Sequence, residues 1–116
     1  MSRTREVPQT QWNEFLSNLT EGHPRVRVQI NGEEVGDQQL VKRAALRRFE
    51  VDQKGAEGQA IELEVGSADE VFSHRIERPE HIWVEESDDG VPRVVNIEDG
   101  AHTKTLVSLE SQASPF

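Results

Sequence analysis

The chain of 116 residues contains no cysteine and no tyrosine, and no apolar run in it approaches the roughly 18 residues that cross a membrane. Without cysteine it can form no disulfide, no thiolate metal site and no cysteine nucleophile. No apolar stretch follows the N-terminal arginines, so the sequence indicates no secretory signal. We therefore expect a cytoplasmic protein that has no membrane partner.

Positive charge is scarce in one half of the chain. Residues 1–58 hold 9 Lys and Arg against 9 Asp and Glu, whereas residues 59–116 hold 4 against 13, so the net charge of −9 arises in the second half. Such a surface repels phosphate, and nucleic acid is an unlikely partner. The acidity is consistent either with a salty host cytoplasm or with ordinary solubility.

The apolar residues that are present favour strands over helices. There are 13 Val and 5 Ile against 7 Leu, and β-branched side chains suit a pleated sheet better than a helix. The length fits one domain, 1–116, and we expect order from about residue 4 to residue 110 with loose tails at both ends. The composition thus predicts a single β-rich domain.

One helix is predicted near the N-terminus. Trp12, Phe15, Leu16 and Leu19 recur at helical spacing and form one apolar stripe, which predicts a helix over about 11–20. A helix this short is marginal by itself in water, so its stripe must dock on the sheet.

Short alternating segments separated by turn residues fill the rest of the chain. The fold class that follows is α+β, mainly β: an antiparallel meander of about seven short strands, curled into a half-barrel or small barrel, with the helix packed on it. Residues 38–52 fit either two strands joined by a kink near Ala44–Leu46 or a helical turn. The predicted strands lie at 25–30, 60–65, 71–77, 82–86, 91–98 and 103–109.

Three stretches of the sequence carry a family resemblance. They are Thr4-Arg5-Glu6-Val7-Pro8 with Trp12 and Phe15, Ile76-Glu77-Arg78-Pro79 leading to Ile82-Trp83-Val84-Glu85-Glu86, and Asp99-Gly100 with Thr105-Leu106. Over roughly residues 4–109 the chain resembles a family of small bacterial proteins catalogued only as a domain of unknown function. Where that family usually shows a Leu-Pro-Leu-like segment, this chain has Ala44-Ala45-Leu46. The resemblance implies a stand-alone domain and supplies no activity, cofactor or catalytic residue.

Residues that could carry chemistry are few. No histidine pair has the i, i+4 spacing of a metal site, and His74 is expected to be a hydrogen-bonded core residue. The Asp-Gly segments at 88–90 and 98–100 lack the alternating ligands of a calcium loop and predict hairpin turns. We therefore predict no catalytic residue, no metal and no cofactor. The four histidines are His23, His74, His81 and His102.

The candidate functional residues form a possible interaction surface. Trp83 alternates with apolar neighbours and should point away from the core, either under the helix or onto a contact surface. The arginines could bind an acidic partner, or they could pair with acidic residues of the C-terminal hairpins. The predicted surface consists of Trp83, Arg25, Arg27, Arg43, Arg47 and Arg48.

The sequence thus predicts a non-enzymatic interaction module for an unknown protein partner. The alternative is a small-molecule-binding or catalytic domain with an end pocket near His74. Self-association through an unpaired edge strand is a third alternative, and Val26–Ile30 is the candidate strand.

Overall fold

A computed structural model of the protein describes residues 3–21, 24–32, 36–55, 58–66 and 69–110. The predicted mainly β, antiparallel fold with one short helix is confirmed. The predicted loose tail at 111–116 lies outside the described residues. The elements are β1 (Arg3–Glu6), a 3₁₀ turn (Gln9–Gln11), α1 (Trp12–Leu19), β2 (Arg25–Gly32), β3 (Gly36–Gly55), β4 (Gly58–Gly66), β5 (Val71–Glu77), β6 (Pro79–Glu86), β7 (Pro92–Asp99) and β8 (Lys104–Leu109).

The strands form one open eight-stranded sheet in the order β1-β6-β7-β8-β2-β3-β4-β5. Two meanders, β2 to β5 and β6 to β8, are joined where β8 pairs with β2. The small-barrel alternative is wrong, because β1 pairs with β6 and the sheet ends at β1 and β5. Val26–Ile30 is not an edge either, since β2 lies between β3 and β8.

The N-terminal strand β1 forms in a polar segment for which the sequence predicts no strand. Arg3 to Glu6 pair in register with Glu86 to Trp83 of β6. Val7 continues this pairing by donating its N–H to the carbonyl of Ile82 at 2.8 Å, and its side chain is buried. Hydrogen bonds to β6 and one anchoring apolar residue thus order a segment that has no strand pattern of its own.

Residues 36–55 form one long strand, where the sequence predicted two short strands with a kink. β3 pairs with β2 through residues 36–45 and with β4 from Leu46 onward, so the predicted kink marks a change of partner. Its alternation is interrupted because Lys42 and Arg43 together oppose a single residue of β2, and Arg47 is an extra residue opposite β4. At each β-bulge the alternation of side chains between the two faces of the sheet shifts by one residue, but the strand continues.

The core lies on one face of the sheet, here called the inner face, and α1 packs there. Trp12 and Leu16 are buried among the inward residues of the strands. The indole Nε1 of Trp12 donates a 2.9 Å hydrogen bond to the carbonyl of Val7. Helix α1 thereby joins the inner face to the end of β1.

The predicted turns are present, but the positive φ values fall partly elsewhere. Gly90 has φ +81 in the β6–β7 turn, as an Asp-Gly turn predicts. In the β7–β8 turn the left-handed residue is His102, φ +64, rather than Gly100, and Arg78 before β6 has φ +51.

Candidate interaction surface

Three neighbouring strands carry a row of side chains across the outer face of the sheet. Trp83 of β6 is paired with Asn96 of β7, and Asn96 is paired with Leu106 of β8. Val94 lies two residues from Asn96, and alternation places it on the same face. All four are half-buried. We call Trp83, Val94, Asn96 and Leu106 the outer patch.

The outer patch is not covered by the described helix. Helix α1 lies on the opposite face, where Trp12 and Leu16 join the core. A sheet with one solvated face usually alternates apolar residues inward and polar residues outward. Trp83, Val94 and Leu106 depart from that alternation, so around Asn96 the outer face of β6 to β8 is more apolar than a solvated face usually is.

The polar member of the outer patch has an unsatisfied oxygen. The Oδ1 atom of Asn96 is shielded from solvent, and no donor among the described residues reaches it. A buried acceptor left without a donor costs about 1–3 kcal/mol. The outer patch therefore contains a shielded acceptor without a donor, which an incoming donor could reach once a neighbouring side chain moves aside.

A histidine and a carboxylate border the outer patch. His81 Nδ1 lies 2.7 Å from Oε2 of Glu6 on β1, and its ring stacks on Trp83 with centroids 4.9 Å apart. The hydrogen bond and charge of Glu6 raise the pKa of His81, because both favour the imidazolium. Glu6 of β1 thus holds the His81 ring that stacks on the Trp83 indole.

The five predicted arginines do not form one cluster. One bulge of β3 places Lys42 and Arg43 opposite Arg27 of β2, at the junction with β2. A second bulge places Arg47 and Arg48 opposite β4. We call Arg27, Lys42 and Arg43 the basic bulge.

Arg47 and Arg48 belong to an ionic network on the outer face of β3 and β4. Arg47 lies 3.8 Å from Glu64, and Arg48 lies within 4 Å of Glu50, Glu62 and Glu64. These carboxylates neutralise the two arginines, so the pair is not an open cationic surface.

The same network extends to β5 through Arg75. Its Nη1 donates to Glu62 at 2.6 Å and to Asp52 at 3.1 Å, and its Nε donates to Glu77 at 3.0 Å. The hydrogen bonds that Arg75 donates to Asp52 and Glu77 raise its pKa, because they favour the charged guanidinium. The outer face of β4 and β5 is therefore ionic and internally paired, unlike the outer patch.

The remaining predicted arginines have fewer partners. Arg43 pairs with Glu110, which follows β8, at 2.9 Å, and this is a contact of the kind that the alternative interpretation of the arginines predicts. Among the described residues no carboxylate lies within ion-pair distance of Arg25 or Arg27, and both are exposed.

The histidines do not converge. His74 is half-buried on the inner face of β5 and stacks with Phe72 at 6.5 Å, and burial lowers its pKa. The predicted hydrogen bond of His74 is wrong for the described part of the chain. His102 lies 3.7 Å from Glu98, while His23 lies outside the described residues. Within those residues no group of three ligands is arranged to hold a metal ion.

The acidic turns have structural partners. Asp99 Oδ1 accepts hydrogen bonds from the backbone N–H groups of Ala101 and Thr103, which closes the β7–β8 turn. The Ser87 hydroxyl donates to Asp89 in the β6–β7 turn and lowers the pKa of Asp89. Both segments act as hairpin turns, as predicted.

Sequence reasoning singled out Trp83 in the outer patch and missed Val94, Asn96 and Leu106. A polar residue at an outward strand position is ordinary, so the sequence around Asn96 carries no signal of an unsatisfied oxygen. The neighbours that bury it come from β6 and β8, and only the strand register brings them together.

The fold defines the protein as an open antiparallel β-sheet domain with one helix on its inner face. Among the described residues, no helix is long and apolar enough to cross a membrane. The chain belongs to the family described as "Family of unknown function (DUF5335)", which matches residues 3–115. It is 28% identical over 109 residues to an "Uncharacterized protein" of Aquifex aeolicus (strain VF5), covering 92% of each chain. No solved structure matches it.

Proposed function

We propose that this protein is a non-enzymatic interaction module that binds a partner protein on its outer patch. The observation that carries the proposal is the shielded, unsatisfied Oδ1 of Asn96 among half-buried apolar side chains. A docked protein that moved the side chains over Asn96 aside would supply the missing donor, and it would cover Trp83 and Leu106.

The distribution of charge supports this choice of surface. On β4 and β5 the outer face is occupied by paired ions, whose exposed contacts are individually weak and whose desolvation would oppose docking. The outer patch has no such pairs at its centre, and Trp83 supplies the large amphipathic side chain that interfaces favour.

Site-specific photo-crosslinking in the host tests the proposal. A benzoyl-phenylalanine is introduced at Val94 or at Leu106, and the matched control carries it at Glu64 on the outer face of β4. We expect one light-dependent adduct with another protein from positions 94 and 106, none from position 64, and at least fivefold less adduct when Asn96→Leu is added.

Two results would overturn the proposal. Equal labelling from positions 94, 106 and 64 would show that no face is preferred. An adduct containing two copies of this chain would replace the partner protein with self-association, and light scattering would then show a dimer.

A further inference from the structure

We infer that the basic bulge and Arg93 recognise an acidic segment of the partner protein, an inference that rests on the proposed function. The bulge places Lys42 and Arg43 together against Arg27 on the neighbouring strand. Like charges that face each other across a sheet destabilise it. Their concentration in a chain of net charge −9 therefore indicates a use outside the fold.

The cations gather around one shallow cavity. It has a volume of about 300 Å³ and lies between the first bulge of β3, the start of β2, the start of β7 and the end of β8. Four cations and one carboxylate line it, and the carboxylate already pairs with Arg43. The charged and hydroxyl residues of its lining are Arg27, Lys42, Arg43, Arg93, Ser108 and Glu110.

Pairing distinguishes these cations from the other arginines of β3. Arg47 and Arg48 lie within 4 Å of β4 carboxylates. In contrast, no carboxylate among the described residues lies within ion-pair distance of Arg27 or Lys42, and both are exposed. The basic bulge is thus the place on β3 where cationic charge remains open to an incoming carboxylate.

The basic bulge is continuous with the outer patch. Ser108 of β8 is paired with Val94 on one side and with Arg27 on the other. A segment lying across the strands could therefore place apolar side chains on Val94 and carboxylates on Arg27. Guanidinium groups bind carboxylates with two parallel hydrogen bonds, which suits this end of the surface.

A peptide carboxylate fits this surface better than a nucleic acid does. The described basic bulge contains no aromatic side chain on which a base could stack, and single-stranded binding depends on such stacking.

Titration of the ¹⁵N-labelled protein followed by NMR tests the inference, with hexaglutamate as the probe at low ionic strength. We expect saturable shifts centred on the amides of Arg27, Lys42, Arg43 and Ser108, reduced at 0.2 M salt because exposed charges are screened. Arg27→Gln/Lys42→Gln should weaken binding at least tenfold. The matched variant Arg47→Gln/Arg48→Gln removes the same charge from β3 and should change it less than twofold.

Parallel titrations with inorganic phosphate and oligouridylate identify the ligand class. Equal shifts with phosphate at matched ionic strength would indicate a non-selective anion site and overturn the inference, as would tighter binding of oligouridylate. Equal weakening by both double variants would also contradict it. Crosslinking from Val94 without hexaglutamate binding would overturn the inference and leave the proposed function standing. Hexaglutamate binding without crosslinking would overturn the proposed function and leave a site for acidic peptides that has no assigned partner.

Discussion

The guanidinium of Arg5 on β1 contacts both carboxylate oxygens of Glu86 on β6, each at 3.3 Å. Glu86 is a buried charged residue, and the Arg5 guanidinium also lies 5.9 Å from the Phe15 ring centroid of α1. One side chain therefore connects the edge strand, its neighbour and the helix. This contact explains why a polar segment without strand pattern is ordered against β6.

Removing Arg5 should destabilise the fold. We expect Arg5→Ala to lower the free energy of unfolding by about 1.5–3 kcal/mol, the range for a hydrogen bond to a charged group, because Glu86 loses its closest cation. Chemical denaturation measures the change. As the control, Arg43→Ala breaks an exposed pair with Glu110 and should cost at most about 1 kcal/mol. Equal effects of the two variants would contradict this role of Arg5.

The pair of His81 and Glu6 should make the packing of β1 depend on pH. Because the folded pKa of His81 is raised above 6.5, protonation favours the folded pair. Its contribution to stability is present below pH 6.5 and is lost as the pH rises through the folded pKa. NMR titration of the imidazole should show this raised pKa, and Glu6→Gln should lower it. Glu14→Gln on α1 is the control and should leave the titration unchanged; a titration that Glu6→Gln does not move would exclude the pairing.

Trp12 should be among the most sensitive core positions. It is 3% exposed, so Trp12→Ala should cost about 3–5 kcal/mol through the cavity it leaves. Trp12→Phe keeps much of the packing but removes the hydrogen bond to the Val7 carbonyl, and it should cost about 1–3 kcal/mol. Denaturation followed by the fluorescence of the remaining Trp83 measures both. An alanine variant as stable as wild type would show that α1 does not anchor the inner face.

The sequence predicts the regular parts of this fold because local pattern and burial agree there. The strand at 71–77 has the predicted bounds, and α1 at Trp12–Leu19 lies within the predicted 11–20. Alternation of apolar side chains with period two, or with helical spacing, is enough to define such elements.

Other features depend on long-range pairing and could not be predicted. β1 is ordered by Glu86, which lies more than 80 residues away, so its own sequence gives no sign of a strand. The bulges at Lys42–Arg43 and Arg47 hide the alternation of β3, which made one strand resemble two. The two bulges also place Arg43 beside β2, whereas Arg47 and Arg48 lie beside the carboxylates of β4.

The proposed function requires that Asn96 contribute nothing favourable to folding. The thermal or chemical unfolding of Asn96→Val tests this requirement most directly. Replacing an unsatisfied acceptor by an apolar side chain should leave the free energy of unfolding unchanged or raise it by up to about 1–3 kcal/mol. A loss of more than about 1 kcal/mol would show that Asn96 has a partner within the fold, and this requirement would then not be met.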